Sequence, residues 1–181
     1  MTRIQPVFFA ALTVAAVLFS RPAFAGPPLL CFPFDIGTAK SLPMGTGSWK
    51  ATDPKYNIAH LVDDTLALLA PDTPVLVRME TLRRATIYAA ANPATATALL
   101  TALQTRAAVP DSHAALAVFD FGYLVETYRE AKPIFTSLVA AIDHIDGYQL
   151  VLKARAMHRD DAMTHAAQLI ADGQPKSATI K

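Results

Sequence analysis

A chain of 181 residues that is 52% apolar and carries 16 Lys and Arg against 15 Asp and Glu has too little net charge to be drawn to nucleic acid or anionic lipid by bulk electrostatics. Its one cysteine, Cys31, cannot close an internal disulfide, so the fold must stand on apolar packing even in an oxidising compartment. There is no glycine-rich phosphate loop and no His-Glu-x-x-His spacing, so no motif points to nucleotide binding or zinc hydrolysis.

Residues 1–25 have the pattern of a secretory signal peptide. Arg3 gives the positive flank, the run from Pro6 to Phe19 is almost wholly apolar, and Ala23-Phe24-Ala25 supplies a small-x-small site before Gly26. A retained membrane anchor is the alternative, but the run falls short of the roughly 20 apolar residues a span needs, and Arg21 and Pro22 interrupt it. A lipid on Cys31 is a third option, disfavoured by the bulky Leu29-Leu30 before it. The expected product begins near Gly26 and is exported to a periplasm or beyond, with no stable membrane span. Cleavage removes Arg3 and Arg21 and no acid, leaving 14 basic against 15 acidic residues. What remains, about 156 residues, suits one domain with a real core.

Residues 26–56 hold Pro27, Pro28, Pro33, Pro43 and Pro54 together with Gly26, Gly37, Gly45 and Gly47, a density that forbids a long regular element. Leu29, Leu30, Phe32, Phe34, Ile36, Leu42 and Trp49 make the stretch too apolar for a solvated tail. It is expected to be an extended strap lying on a helical body, with Trp49 and Phe34 as part of an exposed binding patch the alternative. Cys31, between Leu30 and Phe32, is expected to be a small buried apolar residue. The other reading is an available thiol, although no Cys-x-x-Cys or basic cluster lowers its pKa.

From residue 57 to 175 the pattern is helical. Asn57 can cap a helix carrying Ile58, Leu61, Val62, Leu66 and Leu69 that Pro71 stops. Thr73-Pro74 offers a cap and a first-turn proline for a second, with Val75, Met79, Leu82 and Ala89 on one face and Glu80, Arg83 and Arg84 as helix-spaced partners in water. Asn92-Pro93 repeats the device for a third helix through Leu99, Leu100 and Leu103, ending before Pro110. Asp111 opens a fourth, from Ser112 to about Ala131. Its apolar residues occupy more than one stripe, from Leu116 through Phe119, Tyr123 and Tyr128, which places it at the centre. Pro133 starts a fifth through Ile134, Leu138 and Ile142, and a sixth follows Gly147 through Leu150, Leu152 and Met157. Asp160 can cap a seventh with Met163, Ala167 and Ile170, closed by Gly173 and Pro175, before a tail at 176–181.

The expected fold is therefore all-α, with neighbouring helices packed as antiparallel pairs, in a compact bundle or an α-solenoid. Helix pairs recur from Pro74, from Ser112 and more loosely from Gly147, a spacing in the mid-thirties that resembles tetratricopeptide repeats. Phe121-Gly122 with Val125, Ile134, Leu138 and Ala141 approximates that repeat, while the other copies lack its glycine and terminal proline.

Two stretches, Leu29-Leu30-Cys31-Phe32-Pro33-Phe34-Asp35-Ile36-Gly37 with Ala39-Lys40-Ser41-Leu42-Pro43, and Pro74 through Ala85, resemble an uncharacterised family of exported bacterial proteins. A histidine often follows the cysteine in that family, where this chain has Phe32, so any thiol–imidazole site is lost here. The resemblance implies a Gram-negative-type exported helical protein and carries over no functional residue.

Few residues suggest chemistry. Met157, His158, Asp161, Met163 and His165 could offer thioether, imidazole and carboxylate ligands to a soft metal, and on one continuous helix His158, Asp161 and His165 would share a face. Asp160-Asp161 as a cap in a turn would instead put the two histidines on different helices. His144 between Asp143 and Asp146, the pair Ser112-His113 and the pair Asp63-Asp64 lack the partners that give acid–base or nucleophilic roles meaning. The leading expectation is a non-enzymatic interaction or scaffold protein with a protein or peptide partner and no cofactor. Its contact surface is expected at Trp49, Tyr88, Tyr123, Tyr128 and Tyr148. A small-ligand or metal-binding protein using the C-terminal histidines is the alternative, and an unrecognised hydrolase the third class.

Overall fold

The computed structural model describes residues 26–135 and 141–173. The expected signal peptide and C-terminal tail lie outside them, as does Leu138 of the expected fifth helix. Among the described residues the chain is all-helical: α1 (Pro28–Cys31), a 3-10 turn (Ile58–His60) leading into α2 (Leu61–Leu68), α3 (Val75–Ala89), α4 (Pro93–Ala107), α5 (Ala114–Ala131), α6 (Gly147–Met157) and α7 (Asp161–Gly173).

Asn57, Asn92 and Asp160 start helices as the sequence marks them, and Asp146, which it does not mark, starts α6. Asn57 Oδ1 accepts from the Ala59 amide, Asn92 Oδ1 from Ala94 and Thr95, Asp146 Oδ1 from Gln149, and Asp160 Oδ1 from Ala162 and Met163. Each satisfies amides that a helix start leaves without an intrahelical partner. The α3 start differs from expectation. Pro74 itself occupies the cap position, and the Thr73 hydroxyl turns back to donate to Leu68 O at 2.9 Å.

α5 is the central helix, as its multiple apolar stripes require. Every residue from Ala117 to Tyr128 is buried, and α5 packs against α1, α3, α4, α6 and α7. In a solenoid each repeat meets only its neighbours. Here the first helix touches the last and α3 also reaches α7, so one core is shared around α5. The core gathers Leu29, Leu30 and Leu42 from the strap with Met79, Leu82, Leu99, Leu103, Phe119, Leu124, Val151 and Ile170. Each such side chain contributes about 1.5–3 kcal/mol on burial.

Two further expectations are corrected. The strap is not wholly extended: Pro28–Cys31 form one helical turn, possible because a proline in the first turn gives up an amide that has no partner there anyway. The fifth helix is not seen to begin at Pro133. Lys132–Ile134 form a turn after α5, and 143–144 form another before α6.

Candidate functional site

The most developed polar assembly lies between α3 and the strap. Glu80, Arg83 and Arg84 stand three and four residues apart, hence on one face of α3. Expected in water, they are instead covered: Glu80 and Arg83 are buried, and Arg84 is mostly so. Arg83 Nε donates to Glu80 Oε2 at 2.7 Å and its Nη2 to Oε1 at 2.8 Å, a bidentate pair, while Arg84 Nε reaches Oε1 at 2.7 Å. The reason for burial is the strap, whose backbone groups these side chains satisfy.

The remaining donors and acceptors go to strap main chain. Phe34 N donates to Glu80 Oε2 at 3.0 Å. Arg83 Nη1 donates to Leu30 O and Trp49 O, each at 3.2 Å, and Arg84 Nη1 to Leu42 O at 2.6 Å. One turn on, Tyr88 Oη donates to Pro43 O at 2.8 Å and accepts from Asp53 N at 2.9 Å. At the other end, Glu130 Oε2 of α5 accepts from Leu29 N at 2.9 Å. A segment with no ladder of its own thus has its backbone paired by side chains, as burial demands.

Electrostatics follow from this geometry. Burial alone would raise the Glu80 carboxyl, but its bonds from Arg83, Arg84 and the Phe34 amide outweigh that and hold it below its ordinary value. Burial pushes Glu130 up to about 7, against the pull of the Leu29 and Leu30 amides and with a further push from Glu126. Burial, then the Glu130 charge, raises the Cys31 thiol, which argues against an activated nucleophile. Cys31 itself is half-buried rather than fully enclosed.

A second charged cluster clamps the α2–α3 turn. Arg78 Nη1 meets Asp120 Oδ2 at 2.6 Å with both side chains fully buried, and Arg78 Nε donates to Thr73 O at 2.9 Å and its Nη2 to Ala70 O. Arg106 Nη2 donates to Leu69 O at 2.6 Å. Beside this turn an open cleft of about 290 Å³ is walled by Ala39, Lys40, Leu68, Asp72, Thr73 and Val77.

The residues expected to form a contact surface are placed differently. Tyr123 and Tyr128 are wholly buried and Tyr88 nearly so, because their rings complete the core. Tyr128 Oη donates to Ala96 O at 3.1 Å, and the Tyr88 ring lies tilted against that of Tyr56 with centroids 4.8 Å apart. Trp49 and Tyr148 are half-buried against the core, Trp49 meeting Phe135 edge-on at 6.4 Å. No open tyrosine-lined face results.

His158 ends α6 and His165 lies within α7; both are exposed, as are Asp161 and Met157, while Met163 points into the core. Among the described residues no three His, Cys, Asp or Glu side chains are grouped to hold a metal ion. The acids flanking His144 are committed elsewhere, Asp143 to Lys132 at 2.7 Å and Asp146 to the α6 cap. Asp63 is exposed, and Asp64 accepts from Tyr56 Oη at 2.8 Å. Ser112 and His113 are exposed before α5.

Sequence reasoning passed over Arg78, Asp120 and Glu130. The signal was present: Arg78 follows Val75-Leu76-Val77, and Asp120 sits between Phe119 and Phe121. A charge inside an otherwise buried run must find a partner or lose its charge. Comparison with known protein families, curated proteins and solved structures gives no match. No described helix is long and apolar enough to cross a membrane.

Proposed function

We propose that the protein is an exported, non-catalytic interaction module that holds an extended apolar polypeptide by its backbone. The observation that supports this reading is the row Glu80, Arg83, Arg84 and Tyr88, which engages main-chain atoms of residues 30, 34, 42, 43, 49 and 53. Main-chain contacts give affinity with little dependence on sequence, while flanking apolar pockets, here filled by Leu29, Leu30 and Leu42, give selectivity. In the free chain the strap is the occupant. A partner segment must therefore compete with an intramolecular ligand whose effective concentration is high. Export rests on the signal-peptide pattern of residues 1–25.

The test is a titration of the protein beginning at Gly26 into a fluorescent peptide spanning residues 27–50. Saturable binding that excess unlabelled peptide displaces supports the reading. An unchanged anisotropy up to about 1 mM protein, the range of effective concentration set by a short linker, discards it.

A further inference from the structure

We propose that Glu130 is a proton-controlled latch for the strap: the neutral carboxyl seats α1, and the ionised carboxylate loosens it. Glu130 accepts the Leu29 amide at 2.9 Å and also bonds the Leu30 amide. It is wedged where α1 meets the end of α7. A Cβ on Gly173 would lie 3.1 Å both from Glu130 Oε1 and from Pro28.

What distinguishes Glu130 is its company. Glu80 is paired with Arg83 and Arg84, Asp120 with Arg78, and Glu126 with Arg129. No cation pairs with Glu130 among the described residues. Its own helix presents Tyr123, whose buried hydroxyl has no hydrogen-bond partner among the described residues, and the like-charged Glu126 one turn earlier. From α1 it faces Cys31, and the Glu80–Arg83 pair of α3 shares Tyr123 with it as a neighbour; α7 meets it at a glycine. Arg83 is already committed to Glu80, Leu30 O and Trp49 O.

An anion with no cation paired to it among the described residues, half-buried under the strap it holds, opposes that strap. When α1 lifts, the carboxyl returns to solvent and to its ordinary acidity. The seated strap therefore takes up a proton that the released strap gives away. Seating is strongest below the ordinary glutamate range, weakens as pH rises toward about 7, and levels off above it. The released segment carries Leu29 and Leu30 out of the core, so the opening is local and reversible. The latch acts on the strap whether or not another segment takes its place, so a failed peptide titration leaves it standing.

The experiment is hydrogen exchange of the Leu29 and Leu30 amides at pH 5 and pH 8, corrected for intrinsic exchange, in wild type and Glu130→Gln. The glutamine keeps an acceptor oxygen and cannot ionise. Wild-type protection is expected to fall by about tenfold or more between the two pH values, since one pKa unit is a factor of ten, and the variant is expected to show equal protection at both. Glu126→Gln removes the like charge and is expected to move the wild-type transition to lower pH, a readout that holds even if Glu130→Gln fails to fold. Protection that is unchanged or greater at pH 8 in wild type, a variant that keeps the pH dependence, or a transition that Glu126→Gln does not move overturns the latch.

Discussion

Gly122 of α5 and Gly147 at the start of α6 stand backbone to backbone. A Cβ on Gly122 would lie 2.8 Å from Gly147 O and 2.7 Å from the Leu150 Cβ; one on Gly147 would lie 2.6 Å from Gly122 O. The atoms in the way of a Gly122 Cβ are main chain or Cβ, so they cannot rotate aside. This contact lets α6 lie close along the helix that organises the whole core, and it assigns the Gly122 of the repeat-like Phe121-Gly122 stretch a packing role.

Gly122→Ala therefore sets two effects against each other. Alanine gains about 1 kcal/mol of helix propensity over glycine, while overpacking a tight contact costs about 1–3 kcal/mol. Here the clash is with fixed atoms at two points, so the cost wins, and urea denaturation is expected to show a net loss of about 1–2 kcal/mol. A variant as stable as wild type would show that α5 and α6 can part freely.

Two arginines and the Phe34 amide converge on Glu80. Glu80→Ala leaves the buried Arg83 without its counterion, and breaking a buried pair from one side costs about 3–5 kcal/mol. Trp49, the only tryptophan, accepts from Arg83 through its carbonyl, so its fluorescence is expected to red-shift as the strap loosens. Loss of stability without a change at Trp49 would mean that the strap is held by its leucines alone.

The helical body was legible because its boundary residues act locally: Asn57, Asn92 and Asp160 cap amides within three positions of themselves, as does Asp146, which the sequence does not mark as a cap. The central place of α5 was legible too, since a helix apolar on several sides has to be enclosed. The site was not. Glu80, Arg83 and Arg84 have the spacing of a solvated surface trio, and what buries them lies some 30–50 residues earlier in the chain. Periodicity within a helix reports its faces but not what a distant segment lays over them. Tyr88, Tyr123 and Tyr128 misled for the related reason that a tyrosine at helical spacing fits a wet edge or a core with a polar exit equally well.

Asn92 offers a clean measure of a cap away from the site. Its side chain accepts two amides of α4 at 3.0 and 3.2 Å on an exposed surface, so Asn92→Ala removes the cap and little else. A loss of about 1 kcal/mol in urea denaturation is expected, with Asn92→Gly costing only about a few tenths. Equal losses for the two would assign the effect to backbone strain at this position instead of the missing acceptor.

Asp120 makes the stability of the core depend on pH. Burial raises its carboxyl to about 7 from an ordinary value near 3.8, despite the opposing pull of Arg78 and Arg106, and Asp120 Oδ1 has no hydrogen-bond partner among the described residues. With the folded value above the unfolded one, the folded state holds the proton more tightly. The protonated form is the favoured one in the fold, so stability falls as pH rises from about 4 to about 7 and is flat above. Glu80, held low by Arg83 and Arg84, acts in a different window, losing its contribution only as pH drops below the ordinary carboxylate range. Asp120→Asn keeps an acceptor for Arg78 and resembles the protonated carboxyl that the fold favours, so it is expected to stay close to wild type at pH 4.5, to gain on it toward pH 8, and to vary less with pH between 4.5 and 7. Urea midpoints at pH 4.5, 6 and 8 for both proteins check this; a slope that Asp120→Asn leaves intact would move the titration to another group, with Glu130 the next to replace.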